Sequence, residues 1–155
     1  MISPFRREQL NPASYDLLLG DDLLIERAGT LEMAPYPLGG HSQERPYLLQ
    51  PGQFVLASTQ ETFALPNWVA AKFVLKSSRA REGLQHLLAG WCDPGWHGSR
   101  LTLELRNIRQ LHPISLWPGM KIGQMVFMQL AAEPDRSYAE TGRYNGDGGV
   151  QGSKG

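Results

Sequence analysis

Cysteine is nearly absent: Cys92 is the only one in 155 residues. A disulfide framework within the chain is impossible, and so is a structural zinc site built on several thiolates. This usage fits a reducing compartment, and we read the chain as soluble and cytoplasmic. Net charge is also absent, since fifteen basic and fifteen acidic residues cancel. Broad binding to a nucleic-acid polymer or a membrane surface needs a field of one sign, so neither partner is expected. A local basic pocket for one small anion is still allowed. No apolar run approaches 18 residues, and the N-terminal MISPFRREQL has no hydrophobic targeting core. The four histidines form no HxxxH or HxE pattern, so none is assigned to a metal.

What is present is a globular composition, 41% hydrophobic and 19% charged, of a length that suits one domain. Seventeen glycines and eleven prolines are spread along the chain. They place turn signals at Gly20-Asp21, Gly39-Gly40, Pro51-Gly52, Pro66-Asn67, Asp93-Pro94-Gly95, Pro118-Gly119 and Pro134-Asp135. The short segments between them read as strands at 53–59, 69–75, 101–105, 113–117 and 121–130. This rhythm predicts a mainly β sandwich or barrel. In LTLEL, Leu101, Leu103 and Leu105 should take one face, with Thr102, Glu104 and Arg106 on the other. In KIGQMVFMQL both faces are apolar, which predicts cover on both sides. One short helix is expected within 78–89, weakened by Gly83. The domain should end near residue 141. The tail 142–155, GRYNGDGGVQGSKG, holds six glycines in fourteen residues and is expected to be mobile with nothing bound.

The segment KSSRAREGL places Lys76, Ser77, Ser78, Arg79 and Arg81 between apolar flanks. A helix starting near Ser77 or Ser78 would have a serine N-cap. Its first turn, with the hydroxyls, Lys76 and Arg81, could bind an anion. On these residues alone, an ordinary capped helix with solvated cations fits equally well. Glu104 alone reads as a solvent-facing strand residue. Asp93, opening DPGWHG, needs no role beyond turn chemistry. Tyr138 and Tyr144 could be packing residues or aromatic lids.

Taken in order, NPASYDLLLG, FVLAST, KSSRAREGL, AGWCDPGWHG, LTLELRN, LWPGMKIGQMVF and GRYNGDGG resemble the dCTP deaminase family, within the trimeric dUTPase-like superfamily. The resemblance runs from Asn11 to about Lys154. It implies a distorted β-barrel or jelly roll forming a homotrimer, with active sites between subunits. It assigns the triphosphate to Lys76, Ser77, Ser78 and Arg81 of a neighbouring subunit. It further implies base and sugar contacts at Thr102, Leu103 and Glu104, the deoxyribose at Asp93, and further contacts at Gln124, Tyr138, Tyr144 and Asp147. The backbone of Ala89 would lie near the reacting carbon. Glu104 becomes the catalytic acid and base, with Ser77 and Arg81 holding water and carboxylate in line. Neither H-x-E nor P-C-x-x-C, the zinc deaminase signature, is present, so zinc-independent deamination of dCTP to dUTP and ammonia is expected. Mg²⁺ would arrive with the triphosphate and no metal would bind the protein directly.

Two features depart from the family pattern. Asp147 stands where a glutamine amide is expected, an unfavourable charge beside a triphosphate unless Mg²⁺ intervenes. The stretch between DPGWHG and LEL is one residue longer than the family pattern, which predicts a bulge near Ser99 or Arg100. Two other functions fit the same residues. One is a bifunctional enzyme giving dUMP and pyrophosphate, with Asp93 activating water. The other is a catalytically silent trimeric nucleotide-binding module.

Overall fold

The computed structural model describes residues 1–155. Its strands are β1 (Ile2–Ser3), β2 (Tyr15–Ile25), β3 (Ala34–Pro37), β4 (Tyr47–Leu49), β5 (Phe54–Ala64), β6 (Val69–Leu75), β7 (Leu84–Gln85), β8 (Trp91–Cys92), β9 (His97–Asn107), β10 (Ile114–Leu116) and β11 (Lys121–Gln129). Two short helices, α1 (Ser77–Arg81) and α2 (Tyr138–Thr141), interrupt them. The main sheet runs β7-β9-β5-β2-β11-β6-β8, with β1 added on β5 and β3 on β2; β10 and β4 pair separately. The expected mainly β architecture is therefore what forms.

The sheet curls where two of its three 11-residue inner strands, β2 and β5, bend. β2 pairs with β11 through Tyr15–Leu18, then with β5 and β3 beyond a register shift between Leu19 and Leu23. Gly20 lies in that shift, packed so closely on Ser58 that a methyl group there would strike the Ser58 hydroxyl and carbonyl. The Gly20-Asp21 signal thus marks a bulge inside a strand, not a turn between strands. β5 bends against β9 between Ser58 and Thr62. The predicted bulge near Ser99 is also found: Phe63 pairs with Ser99 but Ala64 with His97, leaving Gly98, at φ 68°, unpaired.

Burial follows the alternation read from the sequence. Leu101, Leu103 and Leu105 are buried, Thr102 and Glu104 are half-buried, and Arg106 is exposed. They join a core with Tyr15, Leu17, Leu19, Phe63 and Phe73. β11 meets its expectation only in its first half, since Ile122, Gly123 and Met125 are buried while Val126, Phe127 and Met128 stay half-buried.

The helix expected within 78–89 stops at Arg81. Gly83, at φ 91°, reverses the chain, and Leu84 then enters the core beside β9. Burial of Leu84 outweighs the weak helix propensity of the residues after it. Lys76, not a serine, takes the cap position, and no side chain caps the helix. The second helix, α2, was not expected; Ser137 and Glu140 form a capping box that starts it.

Leu105→Ala should cost about 2–5 kcal/mol, because this fully buried side chain leaves a cavity in the core. Urea unfolding checks it, and a loss under 1 kcal/mol would place Leu105 outside the tight core.

Candidate active site

A cavity of about 1080 Å³ opens against the outward face of β9. Thr102 and Glu104 reach it from that face, and Ala89, Trp91 and Asp93 from the segment that forms β8. Tyr138, Tyr144 and Asp147 close another side, and Leu56 and Phe54 contribute apolar wall. Seven of the residues expected from the sequence therefore meet here: Ala89, Asp93, Thr102, Glu104, Tyr138, Tyr144 and Asp147. The Leu103 side chain is not among them; strand alternation sends it into the core, 2% exposed, so only its backbone could serve a ligand.

Burial pushes the Glu104 carboxyl above its ordinary range, and a hydrogen bond from its own backbone N–H offsets only part of this. Asp93 is exposed, and its Oδ1 accepts a hydrogen bond from the Trp91 indole N–H at 2.8 Å. Cys92, buried behind them, has its thiol pushed up to about 12 by burial and then by Asp93, so it stays protonated and unreactive near neutral pH. No three His, Cys, Asp or Glu side chains come together as a metal cage.

Lys76, Ser77, Ser78, Arg81 and Gln124 do not line this cavity. Ser77, Ser78 and Arg81 lie exposed on α1. Lys76 and Gln124 instead join a polar cluster centred on Asp16, which is 2% exposed. Its Oδ1 receives Lys76 Nζ at 2.8 Å, Asn11 Nδ2 at 2.9 Å and Gln124 Nε2 at 3.3 Å; its Oδ2 receives Lys121 Nζ at 2.9 Å. Burial alone would raise this carboxyl, but the bonds from Lys76, Lys121 and Asn11 outweigh it and hold it at about 2. Asp16 and Lys121 were missed as site residues. The signal was available, since both sit inside segments that carry the family resemblance, NPASYDLLLG and LWPGMKIGQMVF. Only the pairing of β2 with β11 reveals that they meet.

The tail is docked. Gly146 N–H donates to His97 O at 3.0 Å, Arg100 N–H to Asp147 O at 2.8 Å, and Gln151 N–H to Thr102 Oγ1 at 3.1 Å. Asp22 Oδ2 accepts from Val150 N–H at 2.8 Å. The charge of Asp147, awkward on sequence grounds, is met within the tail: Lys154 Nζ lies 2.7 and 2.8 Å from its two oxygens.

A curled β-sheet with this cavity on its outward face belongs to the dUTPase-like class of folds. It matches the crystal structure of a dUTPase from Streptococcus mutans with a TM-score of 0.57 at 18% identity, over 83% of this chain and 87% of that one. It matches a 2'-deoxycytidine 5'-triphosphate deaminase from Agrobacterium tumefaciens with a TM-score of 0.64 at 23% identity, over 81% of this chain and 42% of that one. The family model described as dCTP deaminase-like matches residues 1–130, and the chain belongs to that family. Among relatives named "dCTP deaminase, dUMP-forming", that of Beutenbergia cavernae is 49% identical over 70% of this chain and 57% of its own. The chain thus spans a little over half the length of that relative. The one from Mycobacterium marinum is 45% identical over 96% of this chain and 83% of its own.

Two outcomes test the electrostatics. The folded-state carboxyl of Asp16 lies below its ordinary value, so its stabilisation is complete above about pH 4 and is lost as pH falls toward about 2. Asp16→Asn should therefore cost about 2 kcal/mol near neutral pH, and less as the pH falls through that window. Denaturant titration at a series of pH values measures this; a deficit that ignores pH would contradict it. Lys154→Ala should speed amide hydrogen exchange at Val150 and Gln151, and unchanged exchange would mean that the ion pair does not hold the tail.

Proposed function

We propose that this chain is a dCTP deaminase that carries its product on to dUMP and pyrophosphate. The carrying observation is that Glu104, half-buried with a raised carboxyl pKa, and the exposed Asp93 line one cavity with different environments. The names of the relatives, dUMP-forming, support the second step, which moves the reading beyond the simple deaminase first expected from the sequence.

In the first step Glu104 takes a proton from water as the oxygen attacks C4 of cytosine. The same carboxyl passes that proton to N3, then takes the remaining proton from the C4 hydroxyl and gives it to the amine. The C4–N bond breaks, ammonia leaves, one water is consumed and dUTP is left. A raised pKa brings the group nearer to neutrality, where it can both accept and donate. Thr102 beside it and the backbone of Ala89 would orient the base. In the second step Asp93 accepts a proton from a second water that attacks the α-phosphorus, expelling pyrophosphate. The Trp91 indole occupies one Asp93 oxygen and leaves the other for that water.

Ser77, Ser78, Arg81 and Lys76 would enter from a neighbouring subunit of a homotrimer to hold the triphosphate. The absence of these residues from the cavity of their own chain agrees with that arrangement. Mg²⁺ fits as a passenger of the nucleotide, since it commonly binds one or two carboxylates plus phosphate oxygens and needs no protein cage. The ion would neutralise charge on the triphosphate.

Glu104→Gln should slow release of ammonia from dCTP by about 10²–10⁴-fold while the protein still converts dUTP to dUMP. Asp93→Asn should let dCTP run to dUTP and stop there. Anion-exchange analysis of both reactions with Mg²⁺ reads the two steps separately. Near-normal deamination by a folded Glu104→Gln would remove Glu104 from the chemistry, and unchanged dUMP formation by Asp93→Asn would remove Asp93.

A further inference from the structure

The Asp16 cluster contains a cation that the reaction scheme leaves unused. Lys121 begins β11, and its ammonium rests on the opposite oxygen of the carboxylate that holds Lys76. The arrangement is built by backbone pairing. β2 and β11 run antiparallel with Asp16 opposite Gln124 and Leu18 opposite Lys121. Lys76 N–H donates to Ile122 O at 3.1 Å, which ties the end of β6 beside the same strand. One buried carboxylate thus fixes two ammonium groups from two strand ends, directly before the serines of α1.

We propose that Lys121 is a further phosphate-binding residue, and that Asp16 is the positioning residue that holds the Lys76 and Lys121 ammonium groups as one anion-binding pair. The inference rests on the reading above that the Lys76 segment receives the triphosphate. Each ammonium carries three N–H donors and spends one on Asp16, so donors are left over on both. Both side chains reach solvent, Lys76 at 25% and Lys121 at 48% exposure. The other carboxylate of this layer, Glu61, is fully buried and is bonded by Gln9 Nε2 and Leu18 N–H, touching neither lysine. Two cations therefore share one contacted carboxylate, and the pair carries a surplus positive charge at the surface. Holding long side chains in place beforehand also lowers the ordering cost that a flexible lysine would meet on binding.

The test uses inorganic tripolyphosphate as probe, titrated calorimetrically into wild type, Lys121→Met, Lys121→Arg and Asp16→Asn, alongside steady-state kinetics with dCTP. Lys121→Met should weaken tripolyphosphate about tenfold, as expected for one charge-assisted contact, and flatten the salt dependence of binding. With dCTP the loss should fall on KM and not on kcat, and Lys121→Arg should restore much of it. Asp16→Asn should shift KM in the same direction by loosening both lysines. Should Asp16→Asn fail to fold, the Lys121 pair of variants decides the matter. Wild type that does not bind tripolyphosphate, or Lys121→Met that binds it like wild type, would overturn the proposal. Loss of tripolyphosphate binding in Lys121→Met, with no turnover of dCTP even by wild type, would leave the anion site standing and remove the activity assigned above.

Discussion

The register of β9 against β5 is the constraint on which the rest depends. Pairing Ala57 with Leu103 and Leu56 with Glu104 sends three leucines into the core and leaves Thr102 and Glu104 facing the cavity. A slip of one residue would bury a carboxylate and expose the leucines, so hydrophobic burial and placement of the acid are one choice. The bulge at Gly98 protects that register. It absorbs an extra residue before Ser99, and its left-handed backbone suits glycine. Ser99 then hydrogen-bonds the tail through Tyr144 O and Asp147 N, so the same irregularity also prepares the edge on which the tail lies.

Charge is handled differently at the two ends of the proposed site. Around Glu104 the surroundings are largely apolar and no cation touches the carboxylate, so burial decides its pKa. Around Asp16 burial is deeper, yet two lysines and an asparagine reverse its effect. One fold thereby raises one carboxyl pKa by burial and lowers another, which stays ionised near neutral pH as a tether. Within a single chain these two regions do not share a cavity, and a site that needs both would draw them from different subunits.

Much of this was legible in the amino-acid order. The strands at 69–75 and 101–105, the Leu/Glu alternation, the bulge near Ser99 and the membership of one family all follow from local pattern or motif. The errors share one cause. The helix within 78–89 was read from propensity, but Leu84 gained more from the core than from another helical turn. Gly20-Asp21 read as a turn because local chemistry cannot distinguish a turn from a bulge set by a crowding neighbour 38 residues away, Ser58. Nor does local reading supply the partner of Asp147, since Lys154 lies in a tail whose composition suggests no fixed contact.

By itself, then, the sequence determined the class of fold, through period-two alternation punctuated by turns, and the identity of the chemical groups, through motifs that sit whole within short segments. Only the tertiary structure decided which of those groups meet. Asp16, Lys76, Lys121 and Gln124 come from three separate segments, and Glu104, Asp93 and Asp147 from three others. Their meeting depends on strand pairing and sheet curvature, which are set by non-local packing and hydrogen bonding that no local stretch of residues encodes alone.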